Sequence, residues 1–184
     1  RHMPVGEVIT LMGLAGVIVF SAMALRAGDM PLPRAIASRT MLVRSIFEIA
    51  GRIFYALAVA LIPISVASAI LQATTLVVVL GAALIFGETV GLKRWLLILT
   101  GFAGGLIILR PGVEGFSALS VLAVIAMFGF AGRDLATRAA PLSLSNAQLG
   151  VLGFIVLTLS GVIILAVTGK VVVPDAWGLA LVAG

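Results

Sequence analysis

The stretch SVASAILQATTLVVVLGAALIF, residues 65–86, indicates the class of protein to which this chain belongs. It contains no charged side chain. A helix of about 20 apolar residues is long enough to cross the roughly 30 Å hydrocarbon core of a bilayer. Because lipid offers no partner to backbone amide and carbonyl groups, a spanning segment must satisfy them internally, as an α-helix does. The stretch therefore predicts a transmembrane helix.

Similar apolar runs, separated by short polar links, make up most of the chain. Of its 184 residues, 62% are hydrophobic and 10% are charged, whereas soluble domains average about 45–50% apolar and about 25% charged residues. The pattern excludes an ordinary soluble domain and predicts an all-α, polytopic transmembrane helical bundle. We expect six full spans and a partial seventh, at residues 6–25, 42–62, 65–86, 95–109, 116–131 and 147–167 and from Trp177 onward.

The second and third spans are separated by a single proline. Residues 53–87 carry no charge, and this stretch is too long for one span and short for two. Pro63 lacks a backbone N–H and interrupts a helix, so we predict a turn there. The second span must then begin upstream, near Leu42, which places Glu48 and Arg52 at membrane depth.

The polar residues exclude several classes of function. The net charge is +5, but the basic residues are scattered between apolar runs, so we expect no nucleic-acid partner. With no Cys, and His2 as the only His, we expect no catalytic residues, no metal, no cofactor and no enzymatic activity. The expected partners are the lipid bilayer and a small-molecule solute. Since no nucleotide-binding motif is present, movement of that solute should be driven by a gradient.

A set of short motifs follows the apolar runs in a fixed order. The motifs are FYAL at 54–57, IPI at 62–64, ALIFGE at 83–88, KRW at 93–95, GFAGGLIILRPG at 101–112 and RDLATR at 133–138. In this order and spacing they resemble the EamA-type transporters of the drug/metabolite transporter superfamily.

The resemblance implies a ten-helix transporter built from two inverted five-helix repeats. Residues 1–112 would be an incomplete first repeat and residues 113–184 an incomplete second repeat. The chain departs from the family pattern in two ways. It lacks most of helix two, which should lie near residues 33–40, and it stops at the start of helix eight. The implied function is a multi-pass secondary transporter of the bacterial inner membrane, an exporter of a small metabolite with its solute site in a central cavity between the repeats. The alternative is a non-transporting structural or assembly protein, or an inactive fragment.

Glu48 and Arg52 are the clearest candidates for a solute or coupling site. They are four residues apart, so they share one face of a helix. Ionisable groups inside a membrane are costly and usually face a cavity or a partner. A structural ion pair remains the competing interpretation.

Further candidates are uncharged. Gln72 and Thr75 could line a central cavity or bond across helices, and Tyr55 could face that cavity or anchor the helix at the interface. The Gly-x-x-x-Gly spacing of Gly101 and Gly105, with Gly104 between them, predicts close helix packing, with a homodimer contact as the alternative.

Basic residues between the spans predict orientation. Lys93, Arg94, Arg133 and Arg138 face the cytoplasm under the positive-inside rule, whether or not helix two is present. We interpret them as cytoplasmic anchors. A gating salt bridge of Arg133 with Asp134 is the alternative interpretation of that pair.

Overall fold

The computed structural model describes residues 4–109 and 117–168, and each regular element within them is helical. The α-helices are α1 (Val5–Arg26), α2 (Arg39–Leu61), α3 (Ile64–Gln72), α4 (Thr74–Phe86), α5 (Leu92–Leu109), α6 (Val121–Arg138) and α7 (Asn146–Thr168). Short 3-10 helices occupy Arg34–Ala37 and Ala118–Ser120. The prediction of an all-α, polytopic membrane protein is confirmed.

Among the described residues, four segments are long and apolar enough to cross a bilayer by length and composition: Gly6–Arg26, Ile64–Phe86, Ala118–Arg138 and Asn146–Val167. The other two predicted spans correspond to α2, which carries four charged residues, and to α5, which reaches the edge of the described residues at Leu109. Many large apolar side chains on these helices are exposed, Ile18 by 70% and Leu84 by 77%. Such exposure fits helices whose outer faces contact lipid.

Pro63 separates two helices as predicted. α2 ends at Leu61 and α3 begins at Ile64, with Pro63 in an extended conformation as its N-cap. A feature that we did not predict follows: the span over residues 65–86 is interrupted at Ala73, where α3 stops and α4 begins.

Helix boundaries differ from the sequence-based expectation at α6. The expected span ended at residue 131, but the helix continues to Arg138, because residues 132–138 contain no proline and extend the same backbone hydrogen bonding despite Gly132. Between α1 and α2 the only helical element is the 3-10 turn Arg34–Ala37, so this fully described link contains no second spanning helix. The predicted closing motif at residues 110–112 and the partial span from Trp177 lie outside the described residues.

The chain divides into two compact units. Unit 1 comprises Arg1–Ser45 and Ala140–Gly184, and unit 2 comprises Ile46–Ala139. In unit 1, α1 packs along α7 through small residues. A Cβ at Gly13 would lie 2.7 Å from the backbone nitrogen of Thr158, and the rings of Phe20 and Phe154 are 5.2 Å apart. The predicted repeats at residues 1–112 and 113–184 stay a prediction.

Unit 2 holds α3 to α6 and most of α2. Its buried core is formed by small and branched side chains of α2, α3, α6 and the link between α2 and α3: Ala58, Ile62, Val66, Ala67 and Ala123, with Tyr55, Ile70 and Leu122 packed against them. Because alanine dominates this core, the helix backbones approach closely, which is typical of helix contacts in membranes.

We expect Gly13→Ala to destabilise unit 1. The added methyl group would collide with the backbone of Thr158, and overpacking of this kind costs about 1–3 kcal/mol. Gly104→Ala is the control, because no atom lies within 4 Å of a Cβ there. This change should raise the free energy of unfolding by roughly 0.5–1 kcal/mol, since alanine favours a helix more than glycine does. Thermal unfolding in detergent measures both variants. Equal melting temperatures would contradict the close approach of α1 and α7.

Candidate functional site

The site begins where α2 and α6 come into backbone contact in unit 2. A Cβ at Gly129 would lie 2.7 Å from the Cα of Gly51 and 3.1 Å from the carbonyl oxygen of Phe47. Only glycine at position 129 allows this approach. The two helices therefore bring Glu48 and Arg52 of α2 within reach of the α6 side chains one turn beyond the contact.

Glu48 is the centre of a charged cluster, which we define as Glu48, Arg52, Arg133 and Asp134. Its side chain is only 2% exposed. Arg52 Nη2 donates to Glu48 Oε1 at 2.7 Å, and Arg133 Nη1 lies 4.0 Å from the same oxygen. Glu48 and Arg52 therefore lie on one helix face, as predicted, and form the ion pair of the competing interpretation, while α6 adds a second cation.

Arg133 connects the charged cluster to an aromatic wall. Its Nη2 is 2.8 Å from Asp134 Oδ1, and its Nε donates to the same oxygen at 2.9 Å. The guanidinium carbon lies 5.3 Å from the centre of the Phe130 ring, within the range of a cation–π interaction. The ring of Tyr55 meets Phe130 edge to face at 6.3 Å.

The charges of the cluster balance, but its hydrogen bonding is incomplete. Two acids face two arginines, so burial in an apolar protein does not leave net charge. Arg52 Nε is nevertheless buried with no acceptor among the described residues. A buried donor without a partner carries a desolvation cost, so this N–H is suited to an oxygen of a bound solute or water.

A second polar location lies beside the interruption at Ala73. A cavity of about 190 Å³ is lined by Gln72 and Thr75 on one side and by α5 residues that include Gly101 and Phe102 on the other. The side-chain amide of Gln72 occupies the space that a Cβ at Gly105 would take. Gly101 and Gly105 thus make room for the cavity and for Gln72, while a Cβ at Gly104 would meet nothing within 4 Å. The predicted homodimer contact of these glycines stays a prediction.

Comparison with known proteins agrees with this architecture. The family described as the EamA-like transporter family matches residues 1–110, which is more than half of the chain. The chain belongs to the EamA-like transporter family. It is accordingly a multi-pass membrane protein of a family that transports small metabolites.

Two curated relatives give the family match a more specific context. A riboflavin transporter of Vibrio cholerae is 38% identical over 77 residues, which cover 42% of this chain and 26% of that protein. A riboflavin transporter of Rhizobium johnstonii is 34% identical over 79 residues, which cover 43% of this chain and 26% of that protein. The match thus spans about a quarter of each relative's length. No solved structure matches the chain.

The Gly-Glu pair that ends the ALIFGE motif lies in the polar link between α4 and α5, and the end of α6 contacts this link. Gly87 ends α4 in the left-handed region, with φ of 66°, which a glycine adopts without strain. Glu88 follows, and Arg138 Nη1 donates to both of its carboxylate oxygens, at 2.8 and 2.9 Å.

Three of the four predicted anchors lie near the ion pair of Glu88 and Arg138, at one end of unit 2. Lys93 and Arg94 are exposed in the first turn of α5, directly after that link, and Arg138 ends α6. Arg133 lies five residues inside α6, in the charged cluster, and is half-buried. The cytoplasmic orientation of the four residues stays a prediction.

Sequence reasoning missed two features of the site and one acid elsewhere. These two features are the place of Phe130 in the site and the inward position of Arg133, and both follow from the α2–α6 contact. Gly129 and Gly132, spaced three apart on α6, were the sequence signal for that contact. Glu7 of α1 is 6% exposed in unit 1. The sequence signal for this buried acid was its place just inside the first apolar run, which begins at residue 6.

We expect the ion pairs of Glu48 and of Glu88 to contribute differently to the stability of unit 2. Glu88→Gln removes an exposed pair, so the free energy of unfolding should fall by at most about 1 kcal/mol, and less at high salt. Glu48→Gln leaves buried donors without an ionised acceptor and should cost about 1–3 kcal/mol with little dependence on salt. Thermal unfolding in detergent at low and high salt distinguishes them. A larger, salt-sensitive loss in Glu88→Gln would contradict the assignment.

Proposed function

We propose that this protein is a secondary transporter that moves a small metabolite across the bilayer, and that the charged cluster binds either the solute or the coupling ion. The family match supports the general activity. The single observation that supports the role of the cluster is Glu48, an acid that is 2% exposed and lies in a helix of a membrane protein, within reach of cations from two helices.

A purely structural ion pair would not need the arrangement that surrounds Glu48. One arginine satisfies one carboxylate, yet Arg133 also approaches it, and both arginines remain about a quarter exposed. Planar guanidinium groups present several N–H donors in a fixed geometry that suits carbonyl and anionic oxygens. The unpaired Nε of Arg52 adds a donor at the same place. The buried Nε of Arg52 and the partly exposed guanidinium groups favour a binding site over a simple helix clamp.

The solute that we propose is riboflavin or a closely related flavin. Two relatives that share 34–38% identity with part of this chain are named riboflavin transporters. A flavin combines a flat, apolar ring system with carbonyl groups and a hydroxylated chain. Those groups correspond to the two kinds of polar location in unit 2, the donor-rich charged cluster and the uncharged cavity beside Gln72.

We further infer that transport is driven by a gradient, without chemical conversion of the solute, in a bacterial inner membrane. Site binding alone does not set the direction of movement, and the sequence-based expectation of export is tested by the same assay. A non-transporting structural or assembly role is the alternative, and it predicts no solute flux that depends on the cluster.

Glu48→Gln in the full-length protein should abolish or strongly reduce flavin transport. The change keeps the side-chain size but removes the charge that holds Arg52 and Arg133. Its expected stability cost of about 1–3 kcal/mol is small beside the 5–15 kcal/mol of a typical fold, so the variant should stay folded. Riboflavin flux in both directions across proteoliposome membranes is the measurement, with and without an imposed proton gradient.

Glu88→Gln is the matched control, because it removes another acid that pairs with an α6 arginine but lies outside the charged cluster. It should transport at close to the wild-type rate. Wild-type flux in Glu48→Gln would overturn the role of the cluster. Absence of flavin flux in the wild type, with flux of another small metabolite, would overturn the choice of solute alone.

A further inference from the structure

The cavity beside Gln72 lies where its helix is half way across the bilayer. The apolar span covers Ile64–Phe86, so Gln72 and Thr75 are close to its midpoint. The same place is the interruption between α3 and α4. Ala73 keeps right-handed helical angles (φ −66°, ψ −12°), so this is a local turn within one span. Secondary transporters commonly place solute sites near the bilayer midplane.

The hydroxyl of Thr75 is available to a ligand in the cavity. Five other helical threonines donate to a backbone carbonyl three or four residues earlier: Thr10, Thr74, Thr100, Thr137 and Thr158. For Thr75 that acceptor would be the carbonyl of Leu71, which already accepts the hydroxyl of Thr74. Within residues 4–109 and 117–168 the Thr75 side chain forms no hydrogen bond. Thr75 is exposed and lines the cavity, so its hydroxyl is open to a ligand.

Gln72 offers complementary groups. Its amide is seated over Gly105, because a Cβ there would collide with it. No hydrogen bond joins this amide to another group in the described part of the chain. A primary amide presents a carbonyl acceptor beside an NH₂ donor. The matching ligand edge therefore has a donor beside an acceptor.

The remaining walls select a neutral, flat ligand. Leu76, Leu97, Ile98 and Phe102 are apolar, and no described residue that lines the cavity is charged. Phe102 provides an aromatic surface for a ring. The volume of about 190 Å³ is below the roughly 300–1,000 Å³ of a site for a drug-sized ligand. The cavity thus suits a small ring or one end of a larger planar solute.

We propose that this cavity binds the imide edge of a planar heterocycle, that is, a ring N–H between two carbonyl groups. Gln72 pairs with the N–H and one carbonyl, Thr75 donates to the other carbonyl, and Phe102 contacts the ring. The proposal deepens the proposed function and rests on it, because the pyrimidine ring of a flavin carries such an edge.

Lumiflavin and 3-methyllumiflavin test the proposal as a matched pair of probes. They share one ring system and differ only in the imide N–H. Quenching of their fluorescence by the full-length protein in detergent gives Kd. The wild type should bind lumiflavin more tightly. Gln72→Leu, which keeps the approximate size but removes the amide, should weaken lumiflavin binding at least tenfold, the effect of one or two hydrogen bonds. Its affinity for 3-methyllumiflavin should fall by a smaller factor, because that probe has no imide N–H to lose as a partner.

Gly101→Val tests the location of the site. Gly101 lines the cavity, and no atom lies within 4 Å of a Cβ there, so a valine adds volume at the cavity wall without a clash at its Cβ. Gly104→Val is the control on the same helix, also with open space at its Cβ but outside the cavity lining. Gly101→Val should weaken binding of both probes at least tenfold, and Gly104→Val should weaken neither. Thermal unfolding confirms that both variants are folded.

Two results would overturn the proposal: no lumiflavin binding by the wild type, or equal affinities in the wild type, Gln72→Leu and Gly101→Val. The latter result would be expected if a lipid chain or a second copy of α5 filled the cavity. If transport requires Glu48 while both cavity variants bind and transport normally, this inference fails and the proposed function stands. If the variants weaken binding as expected but no flavin crosses the membrane, the proposed function fails and the binding site stands.

Discussion

Unit 2 is organised around the need to keep Glu48 paired in an apolar environment. A carboxylate that is 2% exposed cannot rely on water, so cations must come to it from the protein. Arg52 is supplied by the helical repeat of α2, one turn away, whereas Arg133 is supplied by α6. The second cation is present only because the two helix backbones touch where Gly51 and Gly129 meet. Helix packing and charge pairing are therefore one constraint in this region.

Glycine serves two different purposes in unit 2. At Gly129 the missing side chain permits backbone contact between α2 and α6, which is the usual role of small residues in membrane helices. At Gly101 and Gly105 it leaves space, for a cavity in one case and for the amide of Gln72 in the other. The same Gly-x-x-x-Gly spacing can thus create a helix contact or a binding volume, and only the neighbouring helix decides which.

The two polar locations of unit 2 suggest a division of labour in a family of small-metabolite transporters. The charged cluster holds a buried arginine N–H without an acceptor, and the cavity holds an amide and a hydroxyl without partners among the described residues. The first suits a charged group or coupling ion, and the second suits a neutral ring edge. A solute with both features would use the binding free energy of each location without placing a net charge in the cavity.

The sequence by itself determined the class of protein. Uncharged runs of about 20 residues must be helices in lipid, Pro63 must interrupt them, and a four-residue spacing must place Glu48 and Arg52 on one face. These conclusions follow from local geometry and composition, so no knowledge of distant contacts was needed. The motifs in order along the chain were sufficient for the family as well, and the match over residues 1–110 agrees with them.

Only the tertiary structure decided which residues meet. Arg133 was predicted as an anchor at the end of a helix, yet it reaches Glu48 because α6 continues to Arg138 and because α6 contacts α2 through glycine. The interruption at Ala73 was equally hidden, since no proline or glycine marks it and its neighbours are ordinary helix residues. The physical reason is that an apolar run fixes the presence of a helix, whereas the direction of each polar side chain depends on contacts with helices that lie far away along the chain.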